Sequence, residues 1–190
     1  MAQISKAKVA ILATHGFEQS ELQVPQQRLR DAGATVTVVA PQAGEIRGWK
    51  HKDWGDSVKV DRTLDEAKPD EFDALVLPGG QINPDLLRVD EKALKFVRAF
   101  LESGKVVAAV CHGPWLLVEL DAVRGRNVTS YKSIKTDVKN AGGKWVDKEV
   151  VVDDGIITSR NPDDLDAFCA RIIEEIAEGK HARREQRKAG

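Results

Sequence analysis

Cysteine is scarce in this 190-residue chain, which has only two, and aromatic residues make up just 5% of it. Two cysteines cannot build a disulfide scaffold, and no C-x-x-C spacing exists for a structural zinc or a redox pair. Long apolar runs are also missing. Met1–Lys8 carries two lysines and is followed only by the short run Val9–Ala13, too little for a signal peptide or a membrane span. A cytoplasmic protein with reduced thiols is therefore expected. Charge of one sign is lacking as well: 29 Lys and Arg stand against 30 Asp and Glu, for a net charge of −1. The balance is uneven along the chain. Arg183, Arg184, Arg187 and Lys188 make the end basic and leave the body mildly acidic. Without a matching basic face this reads as a solvated terminus at 181–190, not a nucleic-acid arm. Four scattered histidines without acidic partners at ligand spacing predict no metal site, and no cofactor is expected.

What is present suits one globular domain over residues 1–180, with 42% hydrophobic residues. Short β-branched runs alternate with amphipathic stretches. Val9–Thr14, Thr35–Ala40, Asp73–Leu77 and Lys105–Val110 read as buried strands. Helical periods run from after Gly16 to about Ala32 and from about Glu91 to Glu102, where Leu94, Val97, Phe100 and Leu101 share a face. Such alternation predicts an α/β fold with a mostly parallel sheet covered by helices on both faces. Residues 42–60 read as an irregular excursion or a small hairpin. Residues 145–160 read as two strands around Asp153-Asp154-Gly155, and Pro162 opens a last helix. Cys169 lies in that helix's core stripe and is assigned to packing.

Chemistry concentrates at 108–115, AAVCHGPW. A buried strand ends at Cys111, and Gly113-Pro114 begins a helix, with Pro at a first-turn position where its missing N–H costs nothing. This is the layout of a nucleophile elbow with Cys in place of Ser. The helix start is expected to favour thiolate over thiol. The pattern also fits a small buried hydrophobe at a strand end. His112 follows directly, but neighbours rarely face each other across a tight turn, so adjacency alone does not establish a dyad.

In an open α/β sheet the loops after the strands form the ligand crevice. The loop after the first strand is His15-Gly16-Phe17-Glu18. Glu18 reads either as an ordinary acid at a helix start or as a partner sharing a proton with Cys111. His15 and His51 read as exposed loop residues. After the third strand, Pro78-Gly79-Gly80 offers side-chain-free amides for an oxyanion hole. The amides of Gly79, Gly80 and His112 are the candidate donors.

These residues together resemble the ThiJ/PfpI superfamily, most closely its PfpI-type branch. The segments that carry the likeness are GFEQSEL at 16–22, FDALVLPGG at 72–80, VCHGPWLL at 110–117, VRGR at 123–126, TSY at 129–131, IKTDVKNAGG at 134–143 and ITSRNPDDLDAF at 157–168. The resemblance implies a flavodoxin-like three-layer sandwich with a reactive cysteine, matching Cys111. It implies an acid after the first strand whose carboxyl touches the sulfur, matched to Glu18, and an adjacent histidine, His112. Tyr131 matches a tyrosine near the pocket, and Gly79, Gly80 and Gly113 fall among the oxyanion and substrate-binding positions. A third acid is implied from a neighbouring subunit, at Asp85, where archaeal members have Glu. That arrangement implies a homodimer or a hexamer built from dimers.

Family members are described as peptidases, as glyoxalase- or deglycase-type enzymes, and as stress-protective or chaperone-like proteins. A thiolate adds more readily to an aldehyde than to an amide, which also needs a proton donor for its leaving amine. The expectation is a cysteine-dependent stress-protection enzyme acting on reactive carbonyls or their protein adducts, with peptidase activity second. The alternatives are a redox sensor, in which Cys111 is oxidised without turnover, and a holdase chaperone.

Overall fold

The computed structural model describes residues 4–179; the basic segment 181–190 lies outside them. In chain order the elements are β1 (Lys8–Leu12), β2 (Phe17–Glu18), α1 (Gln19–Asp31), β3 (Thr35–Ala40), β4 (Glu45–Lys50), β5 (Asp53–Lys59), β6 (Arg62–Thr63), β7 (Ala74–Leu77), α2 (Ile82–Leu87) and α3 (Glu91–Glu102). They continue with β8 (Val106–Val110), α4 (Pro114–Glu119), β9 (Asn127–Val128), α5 (Lys135–Asn140), β10 (Lys144–Trp145), β11 (Val150–Asp153), β12 (Ile156–Ser159) and α6 (Leu165–Glu178).

The main sheet has the order β11-β12-β8-β7-β1-β3-β6. Every pairing in it is parallel except β11 with β12, whose register runs Val150↔Ser159 to Asp153↔Ile156. The region 42–60 forms the antiparallel hairpin β4–β5, to which β2 adds in parallel.

Side chains along each central strand alternate between two cores. In β8, Val106, Ala108 and Val110 enter one core, while Val107 and Ala109 enter the other. That is why these strands read as continuous apolar runs. The first core is closed by Leu22 and Leu29 of α1 with Phe168 and Ile172 of α6. The second is closed by Phe96, Val97 and Phe100 of α3 and by Leu116 and Leu117 of α4. Asp90 caps α3, its carboxylate accepting from the amides of Lys92 at 2.9 Å and Ala93 at 3.0 Å. Cys169 is buried in α6, and burial pushes its thiol up to about 12.

Chain direction reverses between β1, which leads outward to β3, and β7, which leads to β8 on the other side. The crevice at such a switch point opens at the strands' carboxyl ends. The loops there are those after β1, β7 and β8. Buried Asn83 ties two of them together: its Oδ1 accepts from the Thr14 amide at 2.8 Å. Its Nδ2 donates to the carbonyls of Pro78 at 2.9 Å and Gly79 at 3.1 Å. Helix α2, which carries Asn83, is absent from the sequence expectation. Among the described residues no helix is long and apolar enough to cross a membrane.

Candidate active site

Between the end of β8 and the start of α4 the chain turns through Cys111–Gly113. Cys111 has φ of 62°, in the left-handed region, which costs a residue with a Cβ on the order of 1 kcal/mol. Three bonds hold it there. The Cys111 amide donates to the Ser159 carbonyl at 3.0 Å, the Tyr131 amide donates to the Cys111 carbonyl at 2.8 Å, and the Gly113 amide donates to the Val110 carbonyl at 2.8 Å. The side chain is 6% exposed.

The carboxyl against the sulfur belongs to Glu21, and this corrects the assignment of Glu18. Helix α1 begins at Gln19, so Glu18 is the residue before it and Glu21 falls on its buried face with Leu22, Pro25 and Leu29. Glu21 Oε2 accepts the Gly79 amide at 2.8 Å. The Glu21 carboxyl and the Cys111 thiol lie close enough to shift each other's titration, and Glu21 Oε1 is buried without a hydrogen-bond partner. Glu18 instead accepts from Ser20 Oγ at 3.3 Å and lines an open concavity of about 400 Å³ with Gln23, Lys50 and His51.

Burial pushes the Glu21 carboxyl from the ordinary 4.5 up to about 8; the nearby Glu18 charge adds to this, and the Gly79 amide opposes it. Burial raises the Cys111 thiol too, followed by the charge of Glu21, against the amides of Gly80 and His112. The expected thiolate at a helix start is thus not the resting state. Helix α4 has six residues, and burial outweighs the two amides. A protonated Glu21 removes its charge and offers an O–H to the sulfur, so the two titrations are coupled.

His112 meets Cys111 despite their adjacency, because the left-handed turn folds the two side chains together. Its Nδ1 lies 3.2 Å from Cys111 Sγ, and its Nε2 lies 3.1 Å from Ser133 Oγ. The ring stacks on Tyr131 at 4.9 Å and meets the edge of Trp115 at 5.1 Å. Burial lowers the imidazole to about 4, only partly opposed by Asp137, so it is neutral at pH 7.

Two glycine assignments change. The Gly79 amide is engaged by Glu21 and is no free oxyanion donor, which leaves the amides of Gly80 and His112, both of which favour negative charge on the sulfur. Gly80 has φ of 75°, and a Cβ there would lie 2.7 Å from the Glu18 amide nitrogen. Gly113 is required by packing: a Cβ would strike the Leu77 carbonyl and sit 2.9 Å from the Val110 carbonyl. That close approach accounts for Gly113 without a ligand.

Asp85 is exposed on α2, and its carboxylate makes no hydrogen bond or ion pair among the described residues. His15 is exposed, its Nδ1 accepting from the Arg47 amide at 3.1 Å, and His51 is exposed at the β4–β5 turn. Glu21, Asn83 and Ser133 were not singled out in the sequence. An acid on the apolar stripe of α1 was the available signal for Glu21. Among the described residues no group of three or more His, Cys, Asp or Glu is placed to hold a metal ion.

Residues 7–175 match the model of the DJ-1/PfpI family, which spans nearly all the described residues. The chain belongs to the DJ-1/PfpI family. Among members of that family, it is 50% identical over 163 residues to Protein/nucleic acid deglycase 2 of Escherichia coli, covering 85% of this chain and 92% of that protein. It is 43% identical over 162 residues to General stress protein 18 of Bacillus subtilis, covering 85% and 92%. A solved two-domain protein from Anabaena variabilis, with DJ-1/ThiJ/PfpI-like and ferritin-like domains, superposes with a TM-score of 0.85 at 38% identity. That match covers 97% of this chain and 52% of the two-domain protein, so this chain spans about half of it.

Proposed function

We propose that this DJ-1/PfpI protein is a cysteine-dependent stress-protection enzyme of deglycase type, with hydrolase or lyase chemistry on reactive carbonyls or their protein adducts. The carrying observation is the Cys111 thiol set between a neutral His112, 3.2 Å away, and the Glu21 carboxyl, whose pKa of about 8 leaves it protonated at neutral pH. The names of the Escherichia coli and Bacillus subtilis relatives support this reading.

His112 Nδ1 takes the thiol proton and the sulfur adds to the substrate's carbonyl carbon. The carbonyl electron pair moves to oxygen, where the amides of Gly80 and His112 stabilise it. Glu21 supplies the proton that neutralises that oxygen or leaves with the adduct's amine. Tyr131 backs the imidazole and borders the substrate space. Peptidase activity is the weaker option, because an unactivated amide asks more of the same two proton donors. The exposed Ile82 (39%), Leu86 (51%) and Val89 (77%), grouped around Asp85, support self-association through α2 into a homodimer or larger assembly.

Cys111→Ser is expected to abolish turnover of methylglyoxal-modified amino acids and of methylglyoxal, with an unchanged circular dichroism spectrum. Wild-type rates in the mutant would overturn the reading. Holdase activity, by contrast, would survive Cys111→Ala. Selective peroxide oxidation of Cys111, seen by mass spectrometry without any turnover, would favour the sensor.

A further inference from the structure

Both ring nitrogens of His112 are engaged within a single chain. Nδ1 faces Cys111 Sγ at 3.2 Å and Nε2 faces Ser133 Oγ at 3.1 Å. The ring is 4% exposed and is held by the face of Tyr131 and the edge of Trp115, which fixes its plane. We infer that Ser133 is the positioning residue of this site: its hydroxyl oxygen accepts the Nε2–H and so keeps the Nδ1 lone pair facing the thiol. The inference rests on the reading of Cys111 as nucleophile and adds to it the group that orients its base.

Three observations fix the direction of these bonds. A neutral imidazole has one N–H, and its position is set by what the other nitrogen meets. Burial pushes the Cys111 thiol up, so at neutral pH it carries a proton that it can donate to Nδ1, 3.2 Å away. With Nδ1 as the acceptor, the ring proton resides on Nε2 and faces Ser133 Oγ. Ser133 is exposed, so its own O–H can donate to water while Oγ accepts from the ring. When the S–H bond breaks, the electron pair stays on sulfur and the proton passes to Nδ1. The imidazolium then holds Ser133 through a charge-assisted bond.

Asp85, exposed on α2, is the acid that the family resemblance would bring from a second copy, and it is the competing candidate for orienting His112.

The test compares wild type, Ser133→Ala, Ser133→Thr and Asp85→Asn, each labelled with ¹⁵N-histidine, and reads the His112 tautomer by NMR alongside steady-state kinetics. Wild type and Ser133→Thr are expected to show Nε2–H alone, and Ser133→Ala a mixture of tautomers. Ser133→Ala should lose roughly tenfold in kcat with little change in KM, and Ser133→Thr should recover most of it. An unchanged tautomer in Ser133→Ala would overturn the proposal, and so would a change in Asp85→Asn instead. The tautomer is read without substrate, so failure of the carbonyl-enzyme reading, seen as wild-type turnover in Cys111→Ser, is separately visible.

Discussion

Glu21 and Gly79 are joined by a buried hydrogen bond of 2.8 Å, in which the backbone amide of the loop after β7 donates to a carboxyl on the first turn of α1. The bond sets the carboxyl beside the sulfur and takes the Gly79 amide out of the oxyanion site. A methyl group on Gly79 would lie 2.6 Å from Glu21 Oε2 and 2.7 Å from Cys111 Cβ, so this contact tolerates no side chain.

Glu21 gives the fold a pH dependence opposite to that of an ion-paired carboxylate. Its folded pKa is raised from 4.5 to about 8. The folded state therefore binds more protons than the unfolded state between those values, and stability falls as pH rises through that window and levels off above it. At 1.36 kcal/mol per unit the full shift corresponds to ~5 kcal/mol as an upper bound. Glu21→Gln keeps an acceptor for Gly79 without the charge. Denaturant unfolding at pH 5, 6.5 and 8 should show a falling midpoint in wild type and a much flatter one in the variant. Parallel curves would refute the raised pKa.

Asn83 should matter to both stability and catalysis although it lies outside the reacting groups. Asn83→Ala leaves the Thr14 amide and the Pro78 carbonyl without their partner and the Gly79 carbonyl with only the Glu18 amide at 3.4 Å, at a cost of about 3 kcal/mol. The Gly80 amide sits on the same loop, so kcat should fall as well. Urea titration and steady-state kinetics on the folded variant check both effects. A stability loss under about 1 kcal/mol would show that water replaces the amide.

Leu86 and Val89 test the association surface. Leu86→Glu combined with Val89→Lys places charge on an exposed apolar face and should lower the mass measured by light scattering without altering circular dichroism. An unchanged assembly would move the interface elsewhere on the molecule.

Some elements are legible in the sequence to the residue. Thr35–Ala40 is a β-branched run stopped by Pro41, and Glu91–Glu102 lies between the capping Asp90 and Gly104. Helix α2 is not legible, because six residues with Pro84 among them cannot display a helical period. The choice between Glu18 and Glu21 turns on where α1 begins. One residue rotates a helix by about 100°, enough to exchange the exposed and buried faces. Asn83 and Ser133 bond to groups as far as 69 and 21 residues away in the chain. No local spacing encodes such contacts. Cys111 stands out because strand, glycine and proline bracket it within a few residues.

The strained backbone at Cys111 is held by bonds to Tyr131 and Ser159, both of which follow it in the chain. During synthesis from the amino terminus, the cysteine emerges well before either anchor. Until β12 docks beside β8, only the local bond from the Gly113 amide to the Val110 carbonyl is available to hold Cys111 in its strained conformation. The thiol thus takes its working orientation late, once residue 159 is in place, and a nascent or truncated chain carries the cysteine without the geometry that arms it.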